Sequence, residues 1–125
     1  MASLLLVDDD EDVLNALAAV LATTGHKVAR AAGGVAALDI LDGREPLDLL
    51  LTDVVMPGLH GFNLARMAVL RRPELRVLYM SGFTELDVVT QDTGPRYGKL
   101  LEKPMRPDQL RLEVEQALAQ RPPGV

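Results

Sequence analysis

Near its start the chain reads Leu4-Leu5-Leu6-Val7-Asp8-Asp9-Asp10, four apolar residues followed at once by three aspartates. A run that is apolar at every position, rather than at alternate positions, is typical of a strand that is buried on both faces of a sheet. Four further short apolar runs follow at spacings that leave room for a helix between them. They are Val28-Ala29, Leu49-Leu50-Leu51, Val77-Leu78-Tyr79-Met80 and Leu100-Leu101.

The segments between these runs carry apolar residues at helical spacing, as in Val13, Leu17 and Leu21. Similar stripes occur around Val35–Leu41, Leu64–Ala68 and Leu110–Leu118, and a weaker one around Leu86–Val89. Five strands that alternate with five helices predict a single doubly wound α/β domain. We expect a five-stranded parallel sheet in the order 2-1-3-4-5, which is the flavodoxin-like arrangement.

Length and composition limit the possible functions. A chain of 125 residues is the size of one domain, and we expect it to span residues 1–120, with 121–125 as a C-terminal tail or the start of a linker. The absence of cysteine excludes disulfide scaffolds, zinc ribbons and cysteine nucleophiles. A net charge of −5 argues against direct binding of nucleic acid. No apolar run is long enough to span a bilayer, so we expect a cytoplasmic protein with no membrane association.

Polar residues follow the predicted strands where the strands end. The carboxyl ends of parallel strands meet at one edge of the sheet, which is where ligands bind in this architecture. Three carboxylates and one ammonium group in one small pocket would leave an excess of negative charge, which a divalent cation would neutralise. Ligands that are all oxygen favour Mg²⁺ over zinc. The residues at this edge are Asp8, Asp9, Asp53, Ser81, Gly82 and Lys103.

These side chains suit phosphoryl transfer, which needs in-line positioning and neutralisation of charge on the phosphoryl oxygens. Asp53 can act as the nucleophile and form an acyl phosphate. Lys103 and Ser81 can donate to phosphoryl oxygens, and Gly82 allows the backbone to approach closely.

The same set of residues resembles the receiver domain of bacterial response regulators. The resemblance rests on four motifs in order, from Leu4 to about Ala119. The motifs are Asp8-Asp9, Asp53 followed by Met56-Pro57-Gly58, Ser81-Gly82, and Lys103-Pro104. Two stretches, 51–58 and 77–84, most resemble the receivers of hybrid sensor histidine kinases.

The resemblance implies a phosphorelay function in two-component signalling rather than enzymatic turnover of a substrate. Asp53 would accept phosphate from a histidine kinase or a histidine phosphotransfer protein. Asp9 and Asp53 would ligate Mg²⁺, with the Val55 carbonyl as a third protein ligand and Asp8 acting largely through water. The peptide bond between Lys103 and the proline after it would be cis. A homodimer could form through the fourth helix, the fifth strand and the fifth helix.

One position departs from the pattern of the family. Many receivers carry a tyrosine or phenylalanine three residues before the lysine, where this chain has Leu100. This departure from the family pattern predicts a smaller rearrangement on phosphorylation, or a role as a phosphate sink. Val55 and Phe83 flank the site, and two apolar groups there predict slow hydrolysis of the acyl phosphate.

Other interpretations of single motifs stay open at this stage. The chain could be a small phosphatase of the haloacid-dehalogenase type, with Asp8 as nucleophile and Asp10 as acid/base. It could also be a module that binds partners without phosphorylation. Asp10 is expected to cap the first helix. His26 and His60, in predicted loops, are expected to be surface residues without a partner.

Overall fold

A computed structural model describes residues 2–82 and 97–124 of the chain. Over this range it contains five strands and four helices, which alternate up to the fourth strand. The predicted helix around Leu86–Val89 lies outside the described residues, as does Phe83. The elements are β1 (Ser3–Val7), α1 (Glu11–Ala22), β2 (Lys27–Ala31), α2 (Gly34–Leu41), β3 (Leu49–Asp53), α3 (Gly61–Arg71), β4 (Arg76–Ser81), β5 (Gly98–Glu102) and α4 (Pro107–Leu118).

All strand pairs are parallel, and the sheet order is β2-β1-β3-β4-β5. The predicted doubly wound sheet, in the order 2-1-3-4-5, is therefore confirmed. β1 and β3 lie in the interior of this order, and their apolar residues are almost fully buried. Edge strand β2 is more exposed and carries Lys27 and Arg30, which is a usual protection of a sheet edge.

Successive residues of each central strand face opposite layers. In β1, Leu5 and Val7 belong to the core under α2 and α3, whereas Leu4 and Leu6 belong to the core under α1 and α4. The two-residue period of a strand explains this division, because alternate side chains point to opposite faces. Both layers need apolar residues, which is why the strands read as continuous apolar runs.

The ends of the helices follow from local chemistry. Asp10 caps α1, and its carboxylate accepts hydrogen bonds from the amides of Asp12 and Val13. Gly25 follows α1 with φ of 84°, a left-handed conformation that favours glycine. None of the helices within the described residues is long and apolar enough to cross a membrane.

His26 differs from the sequence-based expectation. Its side chain is only 9% exposed, and its Nε2 lies 2.7 Å from Glu115 Oε1 on α4. Its Nδ1 accepts a hydrogen bond from the Ala2 amide at 2.9 Å. The prediction of a surface histidine without a partner was wrong, because both partners are distant in the sequence.

Candidate phosphoacceptor and metal site

The carboxyl ends of β1 and β3 bring Asp8, Asp9 and Asp53 together. One carboxylate oxygen from each of the three lies within 4.8 Å of the others. Asp8 and Asp53 are buried, whereas Asp9 is exposed. The predicted convergence of these three side chains is therefore present in the fold.

Lys103 follows β5 and faces the two buried carboxylates. Its Nζ lies 3.1 Å from Asp8 Oδ2 and 3.3 Å from Asp53 Oδ1. Burial acts to lower the pKa of Lys103, but the negative charges of Asp53 and Asp8 and the hydrogen bonds to them outweigh it, so that the pKa lies above its ordinary value. Lys103 is therefore a cation at neutral pH, and its peptide bond to Pro104 is cis, as the resemblance implied.

Backbone amides orient the two buried carboxylates. Asp8 Oδ1 accepts a hydrogen bond from the amide of Asp10 at 2.9 Å, and Asp53 Oδ1 accepts one from the amide of Val54 at 3.0 Å. Hydrogen bonds of this type restrict the rotation of a carboxylate. The sequence motifs predict neither of these backbone donors, because they show side chains and not the direction of the amides.

Ser81 and Gly82 lie at the same edge of the sheet. Ser81 is fully buried at the end of β4, and its hydroxyl donates to the Gly82 carbonyl at 3.3 Å. The Lys103 amide donates to the Ser81 carbonyl at 2.9 Å, which ties the lysine to β4. The structure therefore places both residues beside Lys103, at the edge where the sequence predicted them.

A cleft of about 540 Å³ opens over the three aspartates. Its floor is acidic, and one wall is apolar. It is lined by Asp8, Asp9, Asp10, Val13, Asp53, Val55, Met56, Pro57 and Lys103. A second cavity, of about 460 Å³, lies beside β4, β5 and the end of α4 and contains none of the predicted site residues.

The donor set fits a hard divalent cation. All candidate ligands are oxygen atoms, and Mg²⁺ binds one or two carboxylates and retains water at its other positions. Three carboxylates around one ammonium group leave a negative charge that such an ion would neutralise. The cleft leaves room above Asp53 for a phosphoryl group.

The match to a protein family decides what this arrangement represents. The model of the response regulator receiver domain matches residues 4–115. The chain belongs to the response regulator receiver family. Receiver domains are phosphoacceptors that interact with histidine kinases or phosphotransfer proteins in two-component signalling, so this receiver is a signalling protein and not an enzyme with a separate substrate.

Similar proteins include both free-standing receivers and receivers within larger proteins. The receiver is 36% identical to the response regulator receiver protein CpdR of Brucella abortus, over 94% of this chain and 98% of that protein. It is 33% identical to the sensor kinase CckA of the same species, over 94% of this chain but only 12% of the kinase. The solved receiver domain of the hybrid histidine kinase CckA superposes with a TM-score of 0.77 at 30% identity, covering 93% of this chain and 98% of that domain. The predicted resemblance to hybrid-kinase receivers is thus confirmed.

The phosphatase alternative finds no support in these comparisons. The matched family consists of receivers. In addition, Asp10, which would be the acid/base of such a phosphatase, uses its carboxylate to cap α1. The receiver fold also explains why the carboxylates sit at the carboxyl ends of two different strands.

Proposed function

We propose that Asp53 accepts a phosphoryl group from a phosphohistidine of a histidine kinase or a phosphotransfer protein. A carboxylate oxygen of Asp53 forms a bond to phosphorus as the bond from phosphorus to the histidine nitrogen breaks, and the imidazole leaves. The observation that carries this assignment is the position of Asp53 at the base of the cleft, with one oxygen held by the Val54 amide and by Lys103. The same receiver would catalyse the loss of its own phosphoryl group to water.

The proposed roles of the other residues follow from their chemistry. Asp8, Asp9, Asp53 and the Val55 carbonyl would hold Mg²⁺, with Asp8 acting largely through water. The bound ion would neutralise charge on the phosphoryl oxygens. The ammonium group of Lys103 would pair with a phosphoryl oxygen after transfer. The Ser81 hydroxyl would rotate to donate to another, with Gly82 leaving space for the approach.

The receiver domain is proposed to cover most of the chain. The receiver would span residues 1–120, with 121–125 as a tail or the start of a linker. The family match, which ends at 115, and the end of α4 at Leu118 support this division.

The protein would act in the cytoplasm and without direct contact to nucleic acid, which its charge of −5 disfavours. A homodimer would use β5, α4 and the helix predicted around Leu86–Val89, and the exposed Leu112 on α4 supports the use of that face.

Incubation with a small phosphodonor and Mg²⁺ tests the assignment of the phosphoacceptor. We expect one phosphoryl adduct on the wild type by intact-mass measurement and none on Asp53→Ala. Asp108→Ala is a matched control, because it removes an exposed aspartate at the start of α4 and should leave the adduct unchanged. Removal of Mg²⁺ by a chelator should abolish the reaction.

Two outcomes would contradict the proposal. An undiminished adduct on Asp53→Ala would place the phosphoacceptor elsewhere. No adduct on the wild type with any small donor or phosphorylated partner would favour the alternative of a module that works without phosphorylation.

A further inference from the structure

Asp10 connects a helix to the carboxylate cluster. Its backbone amide donates to Asp8 Oδ1 at 2.9 Å. Its own Oδ1 accepts hydrogen bonds from the amides of Asp12 at 3.0 Å and Val13 at 3.3 Å, and its carbonyl accepts one from the Leu14 amide at 3.0 Å. One exposed residue is therefore bound to the first turn of α1 on one side and to a buried carboxylate on the other.

The two oxygens of Asp8 are held by different groups. Lys103 holds Oδ2, at 3.1 Å, and the Asp10 amide holds Oδ1. A side chain bound at both oxygens has little freedom to rotate about the bond to its carboxylate. The direction in which Asp8 presents its lone pairs to the cleft therefore depends on the position of the Asp10 amide.

The conformation of Asp10 sets the position of that amide. Asp10 has φ of −92° and ψ of 110°, the extended conformation of a residue that caps a helix. The two hydrogen bonds accepted by its side chain stabilise this conformation. If they were lost, the backbone at residue 10 would sample other conformations, and the amide would no longer point at Asp8 for much of the time.

We propose that Asp10 is a positioning residue for the divalent-cation site: its side-chain cap fixes the amide that orients Asp8. The inference rests on the proposed Mg²⁺ site and adds a residue that does not itself contact the ion. It differs from a simple effect of charge, in which the carboxylate of Asp10 would attract the cation whether or not it capped the helix.

Three substitutions separate the two mechanisms. Asp10→Ala removes both the cap and the charge, whereas Asp10→Ser and Asp10→Asn remove the charge but keep an oxygen that can cap. We expect Asp10→Ala to weaken Mg²⁺ binding about tenfold by isothermal titration calorimetry, the lower end of the usual effect of an outer-shell partner, because the amide itself is kept. Serine and asparagine should restore the dissociation constant to within about twofold of the wild type.

Glu11→Ala is the matched control. Glu11 carries the same charge next to Asp10 in the first turn of α1, but its side chain does not cap the helix. The dissociation constant of Glu11→Ala for Mg²⁺ should therefore stay close to that of the wild type. The amide resonances of Asp12 and Val13, which donate to the Asp10 side chain, give a second measurement in ¹H–¹⁵N spectra. They should shift clearly in Asp10→Ala, which has no acceptor for them, and stay close to their wild-type positions in Asp10→Ser.

The possible results are distinguishable. A wild type that binds Mg²⁺ and an Asp10→Ala variant that binds it equally well, even with a lower melting temperature, would overturn the inference and leave the proposed function intact. Serine and asparagine variants as weak as alanine would also overturn it, in favour of the charge. A wild type that binds no Mg²⁺ would overturn both the inference and the proposed metal site.

Discussion

Tyr79 carries a hydroxyl group into the core on one side of the sheet. The residue is fully buried and packs edge-on against Phe62, with ring centroids 5.0 Å apart and planes at 74°. Its hydroxyl makes no well-formed hydrogen bond in the described part of the chain and has at most a weak one with the Tyr97 backbone. Burial raises the pKa of Tyr79 to about 12, and the nearby Tyr97 backbone opposes this only in part. The ring stabilises the core, whereas the hydroxyl gains only a weak interaction in place of its lost water.

Substitution Tyr79→Phe should therefore leave the free energy of unfolding at pH 7 equal to that of the wild type or slightly higher. At alkaline pH the free energies of unfolding of the two proteins should differ. Between pH 10 and about 12 the unfolded phenol loses its proton while the folded phenol keeps it, so the wild type loses stability as the pH rises, by on the order of 2 kcal/mol. The variant lacks this loss. Urea unfolding at neutral and alkaline pH measures this difference. An equal loss in the free energy of unfolding of both proteins would contradict the effect of the buried phenol.

At the scale of elements, α3 docks against the strand that carries the proposed phosphoacceptor. The Gly61 amide donates to the Val54 carbonyl at 2.8 Å. A Cβ at position 61 would clash with the Asp53 carbonyl oxygen and lie 2.9 Å from Val54 Cα. Backbone atoms cannot yield as a flexible side chain can, so glycine is needed for this approach.

Gly61→Ala should push the start of α3 away from the end of β3. We expect it to lower the free energy of unfolding by about 1–3 kcal/mol, the usual cost of overpacking, and to slow formation of the phosphoryl adduct. Gly33→Ala is the control, because no heavy atom lies within 4 Å of its added Cβ. Urea unfolding and the rate of adduct formation are measured for both variants and compared with the wild type. A Gly61→Ala variant that behaves like Gly33→Ala would show that α3 does not fix the Asp53 strand.

At the scale of the whole molecule, the sequence predicts the features that follow from the spacing of apolar residues and from the order of the strands along the chain. The apolar runs at 4–7 and 49–51 predict strands buried on both faces, and parallel topology then brings Asp8 and Asp53 to one edge. The partner of His26 escapes such reasoning, because Glu115 is 89 residues away on α4. The close approach of Gly61 to Asp53 and Val54 escapes it for another reason: these residues are near in sequence, but the contact depends on how the loop after β3 turns into α3, and that turn follows no period.

The edge that holds the site places like charges together within an otherwise well-packed fold. Asp9, Asp8 and Asp53 have carboxylate oxygens within 4.8 Å of one another, and Lys103 contacts only the latter two. Repulsion among these groups lowers the stability of the folded state in metal-free buffer, while a cation that binds only the folded state raises it. The melting temperature of the whole domain should therefore depend on the charges at this edge and on whether a cation is bound there.

Asp9→Asn removes one of the repelling charges while it keeps the size of the side chain. In metal-free buffer we expect its melting temperature to exceed that of the wild type by a few degrees, whereas Mg²⁺ should raise the wild type's melting temperature and change the variant's little. Glu11→Gln is the matched control: it neutralises a carboxylate at the start of α1, where negative charge is favourable, so its melting temperature should fall slightly and its response to Mg²⁺ should persist. Thermal unfolding followed by circular dichroism, with and without Mg²⁺, distinguishes these results. An Asp9→Asn variant that is less stable than the wild type without metal would contradict the repulsion, because the carboxylate would then be a net stabilising group.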